Sequence, residues 1–189
     1  MRKNDIINAL KIALGFFAVI WVVYLVDLVL PVNFNEFGII PRELSGLLGV
    51  LFAPFIHGNF VHILSNSLPF LVLTFTLFAF YPRVGWIVVV FGVVVGGLMV
   101  WLMGRGGNHV GASGLIYTMA AFLVAAGFYA RSFKAIVISI IVIFLYGGLV
   151  WGVLPTRAWV SWEGHLFGAV AGVLLAFLLK NRLKPKKAE

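Results

Sequence analysis

Apolar residues fill six long runs of the chain, at about residues 12–30, 60–80, 84–103, 112–130, 134–152 and 162–180, with polar, Gly or Pro interruptions between them. A helix needs about 20 such residues to cross a bilayer, so each run predicts a transmembrane helix. The first run follows Arg2, Lys3 and Lys11 and is broken only by Asp27 near its far end, a layout similar to a secretory signal. It is longer than a usual signal core and has no small-x-small site before Pro31, so it is expected to stay as the first helix. Only residues 31–57 form a long connection. Within it Leu44, Leu47, Leu48, Leu51 and Phe52 recur at helical spacing between Pro41 and Pro54. That predicts a helix of about ten to twelve residues, too short to cross and expected to lie in the outer interface.

The remaining connections alternate in character. Tyr81-Pro82-Arg83 and Arg131-Ser132-Phe133-Lys134 are tight and basic, whereas Gly104–Val110 and Val153–Ser161 are longer and richer in Gly or Pro. A cytoplasmic N-terminus puts Arg2, Lys3, Lys11, Arg83, Arg131, Lys134, Lys180, Arg182, Lys184, Lys186 and Lys187 inside and leaves only Arg42, Arg105 and Arg157 outside. Both termini are therefore expected in the cytoplasm. Small residues recur four apart in Gly92/Gly96, Gly148/Gly152 and Gly164/Gly168/Gly172. In lipid this spacing lets helix backbones approach, and it predicts a compact bundle with the last helix at its centre. No internal repeat of the kind many transporters carry is visible.

Composition agrees with this reading. The chain is 62% hydrophobic and 11% charged, with a mean hydropathy of +1.10. These values exclude an ordinary soluble domain, and the expectation is an all-α polytopic membrane protein, one domain over residues 1–189. The net charge of +8 sits beside the apolar runs, so it points to topology and to membrane lipid, and no nucleic-acid partner is expected. The basic tail from Lys180 reads as a stop signal beside anionic lipid. There is no cysteine, which removes disulfides, thiolate nucleophiles and cysteine-ligated zinc; no metal or other cofactor is expected.

The alternating topology gives the second, fourth and sixth spans the same direction, so their N-terminal ends share one depth. His62 and Asn66 lie near the start of the second, Ser113 opens the fourth, and His165 lies early in the sixth. Polar groups at membrane depth are costly and tend to line functional cavities. His62 and Asn66, at i and i+4, share a helix face about 6 Å apart along the axis. A serine hydroxyl attacks a carbonyl when a neutral imidazole within about 2.6 to 3.2 Å takes its proton. His165 is the candidate base, and His109, in the loop before Ser113, is the rival. The resulting oxyanion needs placed donors, for which the Asn66 amide, a His62 ring N–H and the Ser113 backbone N–H are candidates. Gly111 and Gly114 let the backbone bend and a peptide come close. No acid completes a triad: Asp27 and Glu36 belong to the first outer segment, and Glu163, two residues from His165, points to another helix face. Tyr117, one turn below Ser113, is placed to pack against the imidazole instead.

Gly-Ala-Ser-Gly at 111–114 with Tyr117, His62-x-x-x-Asn66, and Gly164-His165-x-x-Gly168 together resemble the rhomboid intramembrane serine proteases along the whole six-span chain. The resemblance implies Ser113 as nucleophile, His165 as general base, His62 and Asn66 as oxyanion-hole contributors, and Tyr117 as a packing partner. It further implies single-pass membrane proteins as substrates, cut near the outer face, with the fifth span and the Val153–Ser161 loop as gate and cap. The chain departs from many members in having Pro41-Arg42 where they have a Trp-Arg pair in the first loop, and in having Gly164 before the histidine in place of alanine. A client-binding member that does not cut and a small transporter are the alternative functions. The absence of a transit-like presequence makes a bacterial or archaeal plasma membrane the expected location.

Overall fold

The computed structural model describes residues 3–156 and 160–183. Six main helices appear among them: α1 (Lys3–Val29), α2 (Phe60–Phe80), α3 (Gly85–Met103), α4 (Ser113–Ala130), α5 (Phe133–Tyr146) and α6 (Trp162–Leu178). Five are long and apolar enough to cross a membrane, α5 together with its helical continuation to Val153, while the apolar α6 is shorter, at 17 residues. They follow the six apolar runs closely. Local chemistry sets several of the ends. The Asn59 side chain accepts the His62 N–H at 2.9 Å and starts α2, and Ser132 and Ser161 cap α5 and α6 in the same way. Each satisfies one of the free N–H groups of a first turn. Arg131 closes α4 in a left-handed conformation, φ 51°. α1 begins at Lys3, well before the expected residue 12, because nothing in residues 3–11 breaks a helix. Of the basic residues used for topology, Arg2, Arg157, Lys184, Lys186 and Lys187 lie outside the described residues.

The centre of the bundle is α4, not the last helix as the glycine spacing predicted. Ile116, Met119, Phe122, Leu123 and Ala126 of α4 are buried, together with Phe70, Leu73 and Leu77 of α2. α6 instead lies along one side of α4 at very short range. A Cβ added at Gly168 would overlap the Gly114 carbonyl, and one at Gly172 would overlap the Thr118 carbonyl. The Thr118 hydroxyl lies 3.0 Å from the carbonyl oxygens of both Gly114 and Gly168. Gly92 meets the same Thr118 side chain and Gly96 faces Gly168, so the π-helical stretch Gly92–Gly96 of α3 packs against both α4 and α6. The Gly148/Gly152 pair does not pack helix on helix. Beyond Tyr146 the chain tightens into a 3-10 segment, Gly147–Val153, which turns Gly148 to open space and Gly152 toward α4 and α6.

The predicted interfacial helix is a broken one. Residues Ser45–Phe55 wind as 3-10, α and 3-10 pieces of about a turn each. Gly46, Gly49, Val50 and Ala53 face the bundle, while Leu44 and Leu48 are 83% and 61% exposed. The leucine stripe thus faces outward, as a segment bedded in lipid requires. Close backbone approach at the glycines explains the interruptions, since a Cβ at Gly46 or Gly49 would strike the backbone of Ile40 or Gly38.

A reciprocal clasp anchors this first loop. The Arg42 guanidinium donates to the Gly104 carbonyl at 2.7 Å and the Leu102 carbonyl at 3.4 Å, while the Trp101 indole donates to the Glu43 carbonyl at 2.8 Å. Arg42 holds φ 63° to make the reach. Arg42→Ala is expected to lower stability by about 2 kcal/mol, read as a lower thermal midpoint in detergent.

Candidate active site

Ser113 is the first residue of α4, and the residue before it, Ala112, has no side chain able to cap the helix. The positive end of the helix therefore faces the serine. The close α4–α6 contact brings His165 opposite, with its Nε2 2.9 Å from Ser113 Oγ. On the other side of the ring, Nδ1 lies 2.8 Å from the Gly152 carbonyl. A carbonyl only accepts, so Nδ1 carries the proton and Nε2 presents its lone pair to the serine hydroxyl. The Tyr117 ring stacks on the imidazole at 4.3 Å between centroids and 7° between planes, and its hydroxyl donates to the Leu149 carbonyl at 2.7 Å.

His62 and Asn66 approach the same place from α2. A Cβ added to Gly111 would lie 2.5 Å from His62 Cε1 and Nε2 and 3.6 Å from Asn66 Nδ2. Gly111 also sits at φ 114°, so a side chain there is excluded twice over. The Asn66 amide nitrogen is buried and makes no hydrogen bond. A buried donor left open is a costly feature, and this one lies beside the serine loop. A cavity of about 50 Å³ next to Ser113 is lined by Gly111, Gly114, His109 and Ser161 among others.

The rival base is occupied elsewhere. His109 Nδ1 lies 2.6 Å from Ser161 Oγ and Nε2 3.1 Å from the Arg105 carbonyl. Its backbone pairs with Ile39, N–H to carbonyl at 2.9 Å in both directions. His109 thus ties the serine loop to the first outer loop and to the cap of α6. Two of the acids are likewise engaged. Glu163, 2% exposed, pairs with the Arg105 guanidinium at 3.1 Å, and Asp27 accepts the Phe34 N–H at 2.7 Å. No His, Asp or Glu cluster able to hold a metal occurs among the described residues.

One site residue escaped the sequence reading. His57, 2% exposed, sits in the connection before α2, where its Nε2 accepts the Ala112 N–H at 3.4 Å and its ring meets that of His62 edge to face at 5.1 Å. Burial, and then the charge of His62, pushes the His57 imidazole from 6.5 down to about 4. Between those values the unfolded chain binds a proton that the folded chain does not, so stability is full above 6.5 and falls as pH drops toward 4. The loss attributable to His57 is expected to reach roughly 3 kcal/mol at the acid end. His57→Gln should flatten that part of the curve, and thermal unfolding of the two proteins at neutral and acidic pH in detergent reads the difference.

Residues 44–182 match the sequence profile of the rhomboid domain. Uncharacterised proteins of Mycobacterium tuberculosis and Mycobacterium bovis are each 41% identical to this chain, over 88% of it and 73% of their own length. One of Mycobacterium leprae is 37% identical over 88% of the chain and 69% of its own length. The profile covers most of the sequence, and the long apolar helices fit it: the chain belongs to the rhomboid family of integral membrane proteins.

Proposed function

We propose that this rhomboid-family protein is a serine endopeptidase that cuts single-pass membrane proteins near the outer face of the membrane. The observation that carries the reading is the 2.9 Å approach of His165 Nε2 to Ser113 Oγ, with the imidazole tautomer set by the carbonyl on its far side. His165 takes the serine proton as Oγ attacks the scissile carbonyl, then returns it to the leaving amine. Asn66 Nδ2, a His62 ring N–H and the Ser113 backbone N–H, at the positive end of α4, stabilise the oxyanion. Gly111 and Gly114 keep the floor beside Ser113 free of side chains, and Tyr117 holds the imidazole plane.

The membrane constrains the substrate. A helix in lipid satisfies its own backbone, so the scissile carbonyl reaches Ser113 only after local unwinding. Substrates with Gly, Pro or polar residues at the outer end of their helix are favoured. The distribution of basic residues supports cytoplasmic termini, and with them Ser113 in the outer half; the mycobacterial relatives support a bacterial plasma membrane.

The test is cleavage of a single-pass reporter by the purified protein in liposomes, with Ser113→Ala as control. Cleavage near the outer end of the reporter helix is expected, with strong suppression when a leucine run is inserted there. An unchanged rate with the leucine run would sink the unwinding idea. Binding of the reporter without cleavage by the wild type would favour a client-binding member of the family. Solute uptake abolished by Asn66→Ala but not by Ser113→Ala would favour a transporter.

A further inference from the structure

An imidazole can serve as base through either nitrogen, and the partner of the other nitrogen decides which. At His165 that partner is the main chain. The Gly152 carbonyl accepts from Nδ1 at 2.8 Å, and the Leu149 carbonyl accepts from the hydroxyl of Tyr117, whose ring covers the imidazole. Both carbonyls belong to the 3-10 segment Gly147–Val153, whose outward side chains Val150 and Trp151 are exposed. The segment requires glycine at one position only. A Cβ at Gly152 would overlap the Tyr117 hydroxyl and come within 3.1 Å of His165 Nδ1, whereas one at Gly148 would meet nothing within 4 Å. Among the described residues the partner of Nδ1 is the Gly152 carbonyl and no carboxylate, and Glu163 pairs with Arg105.

We propose that Gly152 is a positioning residue: its carbonyl does for His165 what the acid does in a serine-histidine-acid triad, so the base is set only while the Gly147–Val153 segment rests on Tyr117 and His165. The inference builds on the Ser113–His165 reading above and adds a third member to it. Through these two carbonyls the segment fixes the Nδ1–H tautomer and the ring plane.

Two measurements on the full-length protein test this. In protein labelled with 15N in its histidine rings, with the His165 signal assigned by its loss in His165→Ala, the wild type should show the Nδ1–H tautomer at neutral pH. An Nε2–H tautomer there overturns the proposal, whatever the variants do. In reporter cleavage, Gly148→Ala should match the wild type. Gly152→Ala should lose about 10²-fold or more in kcat with KM little changed, as expected of a mis-set base, and its His165 ring should leave the Nδ1–H form. Wild-type kcat in Gly152→Ala, with cleavage still abolished in Ser113→Ala, would remove this inference and leave the dyad standing. Cleavage that survives in Ser113→Ala would remove the dyad itself, and the wild-type tautomer would then decide the role of Gly152 alone. If Gly152→Ala fails to fold, that same tautomer again decides.

Discussion

Ser113→Ala, His165→Ala and the double variant are expected to cleave a single-pass reporter at one common residual rate, on the order of 10⁴-fold or more below the wild type. The reason is the geometry of the pair. The two atoms are 2.9 Å apart and share one proton, so removing either leaves the other nothing to do, and removing both adds no further cost. Two independent contributors would give multiplying losses, and a double variant far below the single ones would mean that the groups do not act together. A His165→Ala variant retaining a tenth of the activity would call for another base. His109 is poorly placed for that role, with both ring nitrogens engaged by Ser161 and Arg105.

Gly168→Ala is expected to impair function, though less severely, from a place where no chemistry occurs. Its Cβ would strike the Gly114 carbonyl and lie 3.2 Å from the Gly114 Cα. Those neighbours are backbone and cannot rotate aside, so α6 must retreat from α4. Overpacking of this kind costs about 1–3 kcal/mol. A shift of about 1 Å in the seating of His165 against Ser113 should also lower kcat on the order of 10²-fold. Gly96→Ala is the matched control, because its nearest neighbour, the Gly168 Cα, lies at 3.7 Å, an ordinary contact. Thermal unfolding and reporter kinetics on both variants check the pair. Wild-type kcat in Gly168→Ala would show that the α4–α6 spacing does not govern the site.

The bundle was legible because lipid makes each span declare itself: a backbone that must bond internally needs a long, uninterrupted apolar helix. The gathering of His62, Asn66, Ser113 and His165 was legible too, since alternating spans put their ends at one level before any distance is known. What stayed hidden depended on the winding or on distant partners. Spacing of four places residues on one face only if the chain is α-helical, and the change to 3-10 after Tyr146 separated Gly148 from Gly152. The clasp of Arg42 on Gly104 and of Trp101 on Glu43 joins residues some sixty positions apart. His57 lay in a short connection with no periodicity to place it, and only the fold brings it under Ala112.

The Gly152 carbonyl has one more consequence, concerning what the bilayer will accept. A carboxylate behind His165 would carry a full charge at membrane depth, and even with a partner the desolvation of such an ion costs several kcal/mol. A peptide dipole orients the ring without that cost. On the proposed mechanism the resting pair is uncharged, and charge would arise only while a substrate is attacked, beside the N–H groups that open α4. If the pair is catalytic as proposed, a base oriented by dipoles is one that a protein of this size can keep within a membrane.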